Sequence, residues 1–253
     1  MRRTYGTPLP GLSKEHYRGR LIVLEGADGS GRTTEAELLR EWLEIRGHPV
    51  VDTGLRRSTL VGEQIAQAKQ GHTLAATTMA LMYAADFADQ LENKILPSLA
   101  AGSTVLADRY IYTLMARAVV RGASRDWARR LYGFAVVPDL TIYLDAKPEI
   151  LLHRAIGKYG SLDYWESGMD LSLSRDRFES FFLYQNLLRK EFDWMGREYG
   201  FRSVDGNRPP ALVHRDVRAL VQPLYGRAAG DEEAEEASLR APSTRRGARA
   251  ASG

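Results

Sequence analysis

The residues best suited to chemistry form a glycine-rich turn between an apolar stretch and an amphipathic one. The turn comprises Gly26, Ala27, Asp28, Gly29, Ser30, Gly31, Arg32, Thr33 and Thr34. It fits the pattern G-x-x-x-x-G-K-[ST], except that Arg32 stands where lysine is expected. Such a turn directs backbone N–H groups inward at a helix N-terminus, where they bind phosphate. The pattern predicts a nucleotide-phosphate loop, with Arg32 against the β- and γ-phosphates and Thr33 on Mg²⁺. The alternative is a structural turn.

Two acidic residues near this loop have two possible roles each. Asp108 ends the third apolar run and is followed by Arg109 and Tyr110. A carboxylate there can hold Mg²⁺, and the arginine can bind a phosphate through two hydrogen bonds. Alternatively, Asp108 caps the next helix and Arg109 pairs with a surface acid. Asp28 repels phosphate, so it either faces a sugar hydroxyl or a metal-bound water, or it accepts N–H groups of the loop.

Two further segments are candidates for substrate contact. Residues 154–168 contain Arg154 and Lys158, are interrupted by glycines and lack helical periodicity, which is typical of a mobile lid that brings positive charge and excludes water. The alternative is an exposed loop. The stretch 77–99 carries Tyr83 and Phe87 on an apolar stripe; such stripes usually belong to a core, but an aromatic ring near the loop can stack on a base.

These residues need a scaffold in which short apolar runs alternate with helical stretches. The predicted strands are Leu21–Leu24, Val50–Asp52, Thr104–Ala107, Thr141–Leu144 and Arg202–Val204. The predicted helices are Thr34–Arg46, Leu60–Lys69, Thr77–Leu99, Ile111–Arg121, Arg125–Ala135, Pro148–Ile156, Ser174–Tyr199 and Ala211–Tyr225. This alternation predicts an α/β fold of the P-loop NTPase type, with a five-stranded parallel sheet covered by helices on both faces. Ligands bind such sheets beyond the carboxyl ends of the strands.

Composition limits the class of protein. The chain has 253 residues, 44% of them hydrophobic, a net charge of +3 and no cysteine. Disulfides and thiolate metal sites are therefore excluded, and no apolar run approaches the ~20 residues of a membrane-spanning helix. Interspersed charges argue against a nucleic-acid partner, and we expect a cytoplasmic protein without a membrane partner. Residues 1–18 are predicted to be a flexible arm, 19–226 the P-loop domain, and 227–253 a disordered low-complexity tail.

The motifs together resemble the thymidylate kinases, which are P-loop nucleoside monophosphate kinases acting on dTMP. The family loop E-G-x-D-G-x-G-K-[ST]-T is matched by residues 25–34 except at Arg32, and the family's D-R-Y is Asp108-Arg109-Tyr110. Further similarities are Leu81–Asp86, Ile95–Gly102, Arg121-Gly122, Pro138–Leu140 and Leu162–Glu166. The resemblance covers about residues 19–226. It implies an ATP-dependent phosphotransferase that uses Mg²⁺ and forms a homodimer.

The resemblance also implies roles for individual residues. Asp28 would contact the acceptor sugar, Asp108 the Mg²⁺ shell and Arg109 the acceptor phosphate. Tyr83 would replace a base-stacking phenylalanine. Substrate contacts would come from Arg56, Arg57, Tyr83, Phe87, Arg109, Tyr110 and Arg117, and lid contacts from Arg154, Lys158, Asp163 and Glu166.

The departures from the family fall mainly on acceptor recognition. Residues 53–59 replace T-R-E-P-G-G-T, Phe87 replaces a common arginine, and Ala116-Arg117-Ala118 replaces A-Y-Q. The acceptor predicted best is dTMP. There are two alternatives. One is a kinase of this fold that acts on another acceptor, and the other is a weakly active nucleotide-binding protein, which Arg32 favours.

Overall fold

The chain forms a five-stranded sheet in which every pairing is parallel. The structure is a computed structural model that describes residues 2–10, 17–71 and 74–226. The strands are β1 (Arg20–Glu25), β2 (Val50–Gly54), β3 (Thr104–Asp108), β4 (Leu140–Asp145) and β5 (Arg202–Asp205), in the spatial order β2-β3-β1-β4-β5. All five predicted strands and the predicted sheet are confirmed.

Alternation along the strands divides the core between the two faces of the sheet. Leu21 and Val23 of β1 belong to the larger cluster, whereas Ile22 and Leu24 belong to a second cluster on the opposite face. Because successive side chains of a strand point to opposite faces, a run of four apolar residues requires cover on both sides. The helices provide that cover.

The helices match the predicted stretches in order and type. They are α1 (Arg32–Ile45), α2 (Gly62–Gly71), α3 (Ala76–Gln90), α4 (Leu96–Ala100), α5 (Ile111–Val120), α6 (Arg125–Leu131), α7 (Pro148–Tyr159), α8 (Arg177–Tyr199) and α9 (Pro210–Val221). Helices α1 and α9 cover one face, and α3, α5 and α8 the other. Within the described ranges, no helix is both long enough and apolar enough to cross a bilayer.

Several predicted helix boundaries need correction. The predicted helix 125–135 ends at Leu131, and the predicted helix 211–225 ends at Val221, where a 3₁₀ turn, Gln222–Leu224, follows it. The predicted helix 77–99 is divided by a π-helical turn, Leu91–Ile95, just before Pro97, which has no N–H to donate. Helix α8 begins three residues later than predicted because Asp176 caps it by accepting the N–H of Glu179 at 2.8 Å. Helix α7 extends to Tyr159 and ends at Gly160, which has a left-handed backbone. Lys158 therefore lies on a helix, not in a loop.

The beginning of the chain is docked against the domain. The sequence predicts a flexible arm for residues 1–18, yet Thr4 pairs with Val136 in an antiparallel bridge, and Arg2 forms an ion pair of 2.6 Å with Asp139. Tyr5 contacts the ring of Tyr112 edge-on. Residues 2–10 are thus part of the domain. The sequence did not predict this, because the partners of Arg2 and Tyr5 are far away along the chain. Residues 1, 11–16 and 227–253, including the predicted tail, lie outside the described residues.

Candidate active site

The glycine-rich turn connects β1 to α1 at the carboxyl edge of the sheet. Gly26 has a φ of 150°, and a Cβ there would stand 2.8 Å from the carbonyl oxygen of Leu144. Gly31 has a φ of 98° and is the N-cap of α1. Since glycine brings no side-chain acceptor, the first N–H groups of α1 face the turn without a capping side chain. The turn therefore has the form of an anion site.

A cavity of about 360 Å³ opens onto this turn, and we call it the loop cavity. Its walls include every turn residue from Asp28 to Thr34. Arg154 and Lys158 of α7 line it as well. Arg154 donates to the carbonyl oxygens of Gly29 at 3.1 Å and Gly206 at 2.9 Å. The loop cavity thus combines backbone donors with cationic side chains, as a polyphosphate requires.

Arg32 lines the loop cavity while its side chain lies against the turn. Its Nε donates to Asp108 at 2.9 Å, and its Nη1 donates to the carbonyl oxygens of Ala27, at 2.7 Å, and Gly26. The side chain is buried. A planar guanidinium can serve these acceptors from different nitrogens at once, which a single ammonium cannot do. The arginine is therefore accommodated by specific contacts.

Two oxygen ligands meet beside Arg32. The hydroxyl of Thr33 donates to Oδ2 of Asp108 at 3.1 Å, although the two residues are far apart in sequence. Asp108 stands level with Leu24 and Gly54 in the sheet register, which places it at the mouth of the loop. A hydroxyl, a carboxylate and substrate phosphates are the oxygen donors that Mg²⁺ prefers. The residues present fit this ion.

Three guanidinium groups converge on Asp28. Arg109 is in direct ion-pair contact with Oδ1, Arg117 donates to Oδ2 at 3.0 Å, and Nη2 of Arg32 lies 3.7 Å from Oδ1. Arg109 follows β3 with a φ of 73°, a region that non-glycine residues seldom adopt, and this strained backbone aims its side chain at the site. Burial, and then the charge of Arg117, lowers the pKa of Arg109 to about 9.

These guanidinium groups border a second cavity of about 230 Å³, which we call the cationic cavity. Among the described residues, its walls carry six cations, Arg32, Arg56, Arg57, Lys69, Arg109 and Arg117, and three carboxylates, Asp28, Asp108 and Glu166. This excess of positive charge favours an anionic ligand. Asp28, Arg32, Thr33 and Glu166 line both this cavity and the loop cavity, so their ligands would meet.

The segment carrying Arg56 and Arg57 is held in place by a buried carboxylate. Asp86 of α3 accepts the backbone N–H of Arg56 at 2.9 Å and that of Ser58 at 3.0 Å. Gln90 donates to the same carboxylate. The buried Asp86 therefore fixes the chain after β2, where Arg56 itself has a positive φ of 58°.

A third, apolar cavity of about 60 Å³ adjoins the cationic one. Its walls include Met79, Tyr83 and Leu114, and Lys69, Tyr83, Arg117 and Glu166 line both cavities. Burial, followed by the charges of Arg117 and Arg56, lowers the pKa of Lys69 to about 8. The indole N–H of Trp165, which also lines this cavity, donates to the carbonyl oxygen of Lys69 at 3.0 Å.

Comparison with known proteins assigns the family. The thymidylate kinase family model matches residues 24–172. A probable thymidylate kinase 2 of Saccharolobus solfataricus is 38% identical over 81% of this chain and 96% of its own length. The thymidylate kinases of Ruegeria pomeroyi and Shouchella clausii are 36% and 38% identical, over 80% and 79% of this chain and 94% and 93% of their own lengths. The chain belongs to the thymidylate kinase family. It is accordingly a phosphotransferase with the P-loop NTPase fold, and ATP is the phosphate donor of its family.

Most residues selected by their resemblance to the thymidylate kinase family lie together. The loop cavity is lined by the turn residues from Asp28 to Thr34 and by Arg154 and Lys158, whereas Gly26 and Ala27 do not line it. The cationic cavity is lined by Arg56, Arg57, Tyr83, Arg109 and Arg117. Glu166 lines all three cavities. Asp163 instead holds the turn after α7, since its Oδ1 accepts the N–H groups of Trp165 and Glu166 at 2.9 and 3.0 Å; the predicted lid role of this turn stays a prediction.

Two of the predicted substrate residues lie in the core of the described chain instead. Phe87 contacts Tyr110 edge-on with ring centroids 5.0 Å apart, and both are buried. The Tyr110 hydroxyl donates to the carbonyl oxygen of Val136 at 2.9 Å. Phe87 therefore continues the apolar stripe of α3, which is the alternative that the sequence had left open.

Sequence reasoning missed Lys69, Asp86 and Arg208 as site residues. Arg208 follows β5, lines the loop cavity and donates to Asp216 at 2.6 Å. Its position beyond the carboxyl end of a parallel strand is a signal that the sequence did contain. Lys69 offered no such signal, because it lies near the end of a helix whose direction only the fold determines.

Proposed function

We propose that this protein transfers the γ-phosphoryl group of ATP to the phosphate of dTMP, giving ADP and dTDP. The observation that carries the proposal is the continuity of the three cavities. The loop cavity suits the donor phosphates, the cationic cavity the acceptor phosphate, and the apolar cavity the base. Because Glu166 borders all three, donor and acceptor would bind on one continuous surface.

The reaction requires positioning and charge stabilisation more than covalent chemistry. One oxygen of the acceptor phosphate attacks the γ-phosphorus as the bond to the β-bridging oxygen breaks, and ADP leaves with the electron pair. The turn amides, Arg32, Arg154 and Lys158 would bind donor phosphates, and Arg109 the acceptor phosphate. Thr33 and Asp108 would hold Mg²⁺, which when bound neutralises phosphate charge. Tyr83 would contact the base.

The lid explains how water would be excluded. Trp165 bonds to the backbone of α2, and the carboxylate of Asp163 holds the turn that carries Trp165 and Glu166. Trp165 and Glu166 line the apolar cavity, so this segment would lie against a bound acceptor. Closure after binding would keep water, a competing acceptor, away from the transferred group.

The test is release of ADP from Mg·ATP by the purified protein with dTMP, dUMP, UMP, CMP, AMP and GMP in turn. We expect turnover with dTMP above the other five. Arg109→Gln should remove it, whereas Arg129→Gln, at an exposed arginine paired with Glu198, should not. Nucleotide binding without turnover with any acceptor would refute the kinase proposal and leave a nucleotide-binding protein.

A kinase of the same fold with another acceptor is the second candidate. The observation that favours it is the makeup of the apolar cavity, where Ala118 and Arg117 stand in the part of α5 that carries an aromatic residue and an amide in the family pattern. Preferential turnover of a monophosphate other than dTMP would establish this candidate.

We also propose a homodimer and a cytoplasmic location, which family resemblance and composition support. Light scattering after size-exclusion chromatography tests the dimer, since a mass near 28 kDa would identify a monomer. Fractionation of cells that produce the protein tests the location.

A further inference from the structure

The cationic cavity contains more guanidinium groups than its carboxylates neutralise. Arg109 and Arg117 approach different oxygens of the single carboxylate of Asp28, while Arg32 is held mainly by Asp108 and the turn. Each oxygen of Asp28 thus receives one of the two arginines. An anion with more oxygens than a carboxylate can engage both at once.

A donor atom in this cluster is also unused. Nε of Arg109 is buried, and it has no hydrogen-bond partner among the residues that the structure describes. A buried donor without a partner is costly, and a native structure tolerates it where a ligand completes the bond.

Arg117 is available for a ligand, whereas the arginine one turn further along α5 is not. Arg121 donates to both oxygens of Asp170, at 2.7 and 3.1 Å, and to the hydroxyl of Tyr184 at 3.0 Å. These bonds connect α5 to Asp170, which precedes α8, and to α8 itself. Arg117 has Asp28 as its partner and lines both the cationic and the apolar cavity.

We propose that Arg117 is a second acceptor-phosphate arginine, which forms a clamp with Arg109. Asp28 occupies this clamp in the structure as an internal anion. A phosphomonoester dianion takes its place when the acceptor binds, and Asp28 is then free to accept a hydrogen bond from the sugar. The position of Arg117 between the two cavities fixes the acceptor with its phosphate towards the loop and its base towards Tyr83. This clamp rests on the function proposed above.

The clamp predicts that Arg117 recognises the phosphate of the acceptor and not its nucleoside. Calorimetric titration with thymidine and with dTMP measures the gain in affinity due to the phosphate. We expect Arg117→Gln to weaken dTMP binding about 10- to 100-fold and to leave thymidine binding within about twofold. Arg117→Lys keeps the positive charge, so its affinity for dTMP should lie between those of the wild type and Arg117→Gln. The fold should survive, because Asp28 retains Arg109.

The matched control is Arg125→Gln, at an exposed arginine of α6 that pairs with Glu191. It should bind both ligands like the wild type. Equal losses for thymidine and dTMP in Arg117→Gln would overturn the clamp, because Arg117 would then contact the nucleoside or support the fold. Unchanged dTMP binding would overturn it too.

The clamp and the kinase proposal fail in different ways. If the wild type binds and turns over dTMP while Arg117→Gln does so equally well, only the clamp is wrong. If the wild type turns over another monophosphate, the same comparison is made with that nucleotide and its nucleoside. If the wild type binds no monophosphate at all, both proposals are wrong.

Discussion

Replacing Arg32 by lysine, the residue of the common phosphate-loop pattern, tests whether this loop is built around its arginine. In the structure, Nε serves Asp108 and Nη1 serves Gly26 and Ala27. A lysine has a single ammonium nitrogen in place of these two nitrogens. It can therefore keep the hydrogen bond to the carboxylate of Asp108 or those to the turn carbonyl oxygens, but not both. We therefore expect Arg32→Lys to impair both the stability and the rate of the enzyme.

The magnitude follows from the number of bonds lost. One hydrogen bond to a charged group contributes about 1.5–3 kcal/mol, and a loss of ~2 kcal/mol lowers the Tm of a domain of this size by about 4–8 °C. A cation displaced by ~1 Å from the transferred phosphoryl costs about 100-fold in rate. We expect kcat to fall about 10- to 100-fold.

The assay is ADP release under saturating dTMP and Mg·ATP, together with thermal unfolding of the same preparations. Arg40→Lys is the matched control, because Arg40 lies on the same helix and forms one half-exposed ion pair with Asp52 at 2.8 Å. Such a pair contributes little, so this variant should resemble the wild type. A faster Arg32→Lys enzyme with unchanged Tm would refute the reasoning and would indicate an enzyme impaired by its arginine.

Three further predictions concern the surroundings of the site. Asp86→Asn should raise the KM for the acceptor about tenfold, because one amide oxygen replaces the two carboxylate oxygens that hold the chain after β2; unchanged kinetics would contradict this. The acceptor KM should rise as pH passes about 8, where Lys69 loses its charge, and Lys69→Gln should flatten that pH profile. Burial raises the pKa of Glu35, which bonds to His214, to about 8, so native stability falls as pH rises towards 8. This loss amounts to roughly 4 kcal/mol, so the Tm of Glu35→Gln, whose amide can donate to the same ring nitrogen, should rise relative to that of the wild type by about 8 °C or more as the pH increases from 5 to 9. A difference in Tm that does not change with pH would contradict this.

The sequence predicted the scaffold well because each strand and helix carries its own local signal. Four apolar residues in β1 require cover on both faces, and the glycines of the turn permit backbone angles that other residues resist. The order of Asp108, Arg109 and Tyr110 after the third strand placed the first two at the carboxyl edge beside the loop. Parallel topology alone brings those strand ends together.

Sequence reasoning was least successful in predicting which side chains contact each other. Phe87 was a substrate candidate by its position in the family pattern, yet a ring on the apolar stripe of α3 buries more surface in the core. Tyr110, at the start of α5, is buried beside Phe87 in the same core. The first residues of the chain were predicted to be a flexible arm, but Arg2 and Tyr5 have partners far along the sequence that local composition does not reveal.

The sequence alone therefore determined the fold, the position of the glycine-rich turn and the family, because these depend on short-range patterns of apolar residues, glycines and charges. The tertiary structure decided which groups meet. It joined Thr33 to Asp108, aimed three arginines at Asp28, made Asp86 the support of the chain after β2 and set Lys69 between the cationic and apolar cavities. Such contacts arise between distant segments, so their energies depend on packing and burial, which residue spacing does not contain.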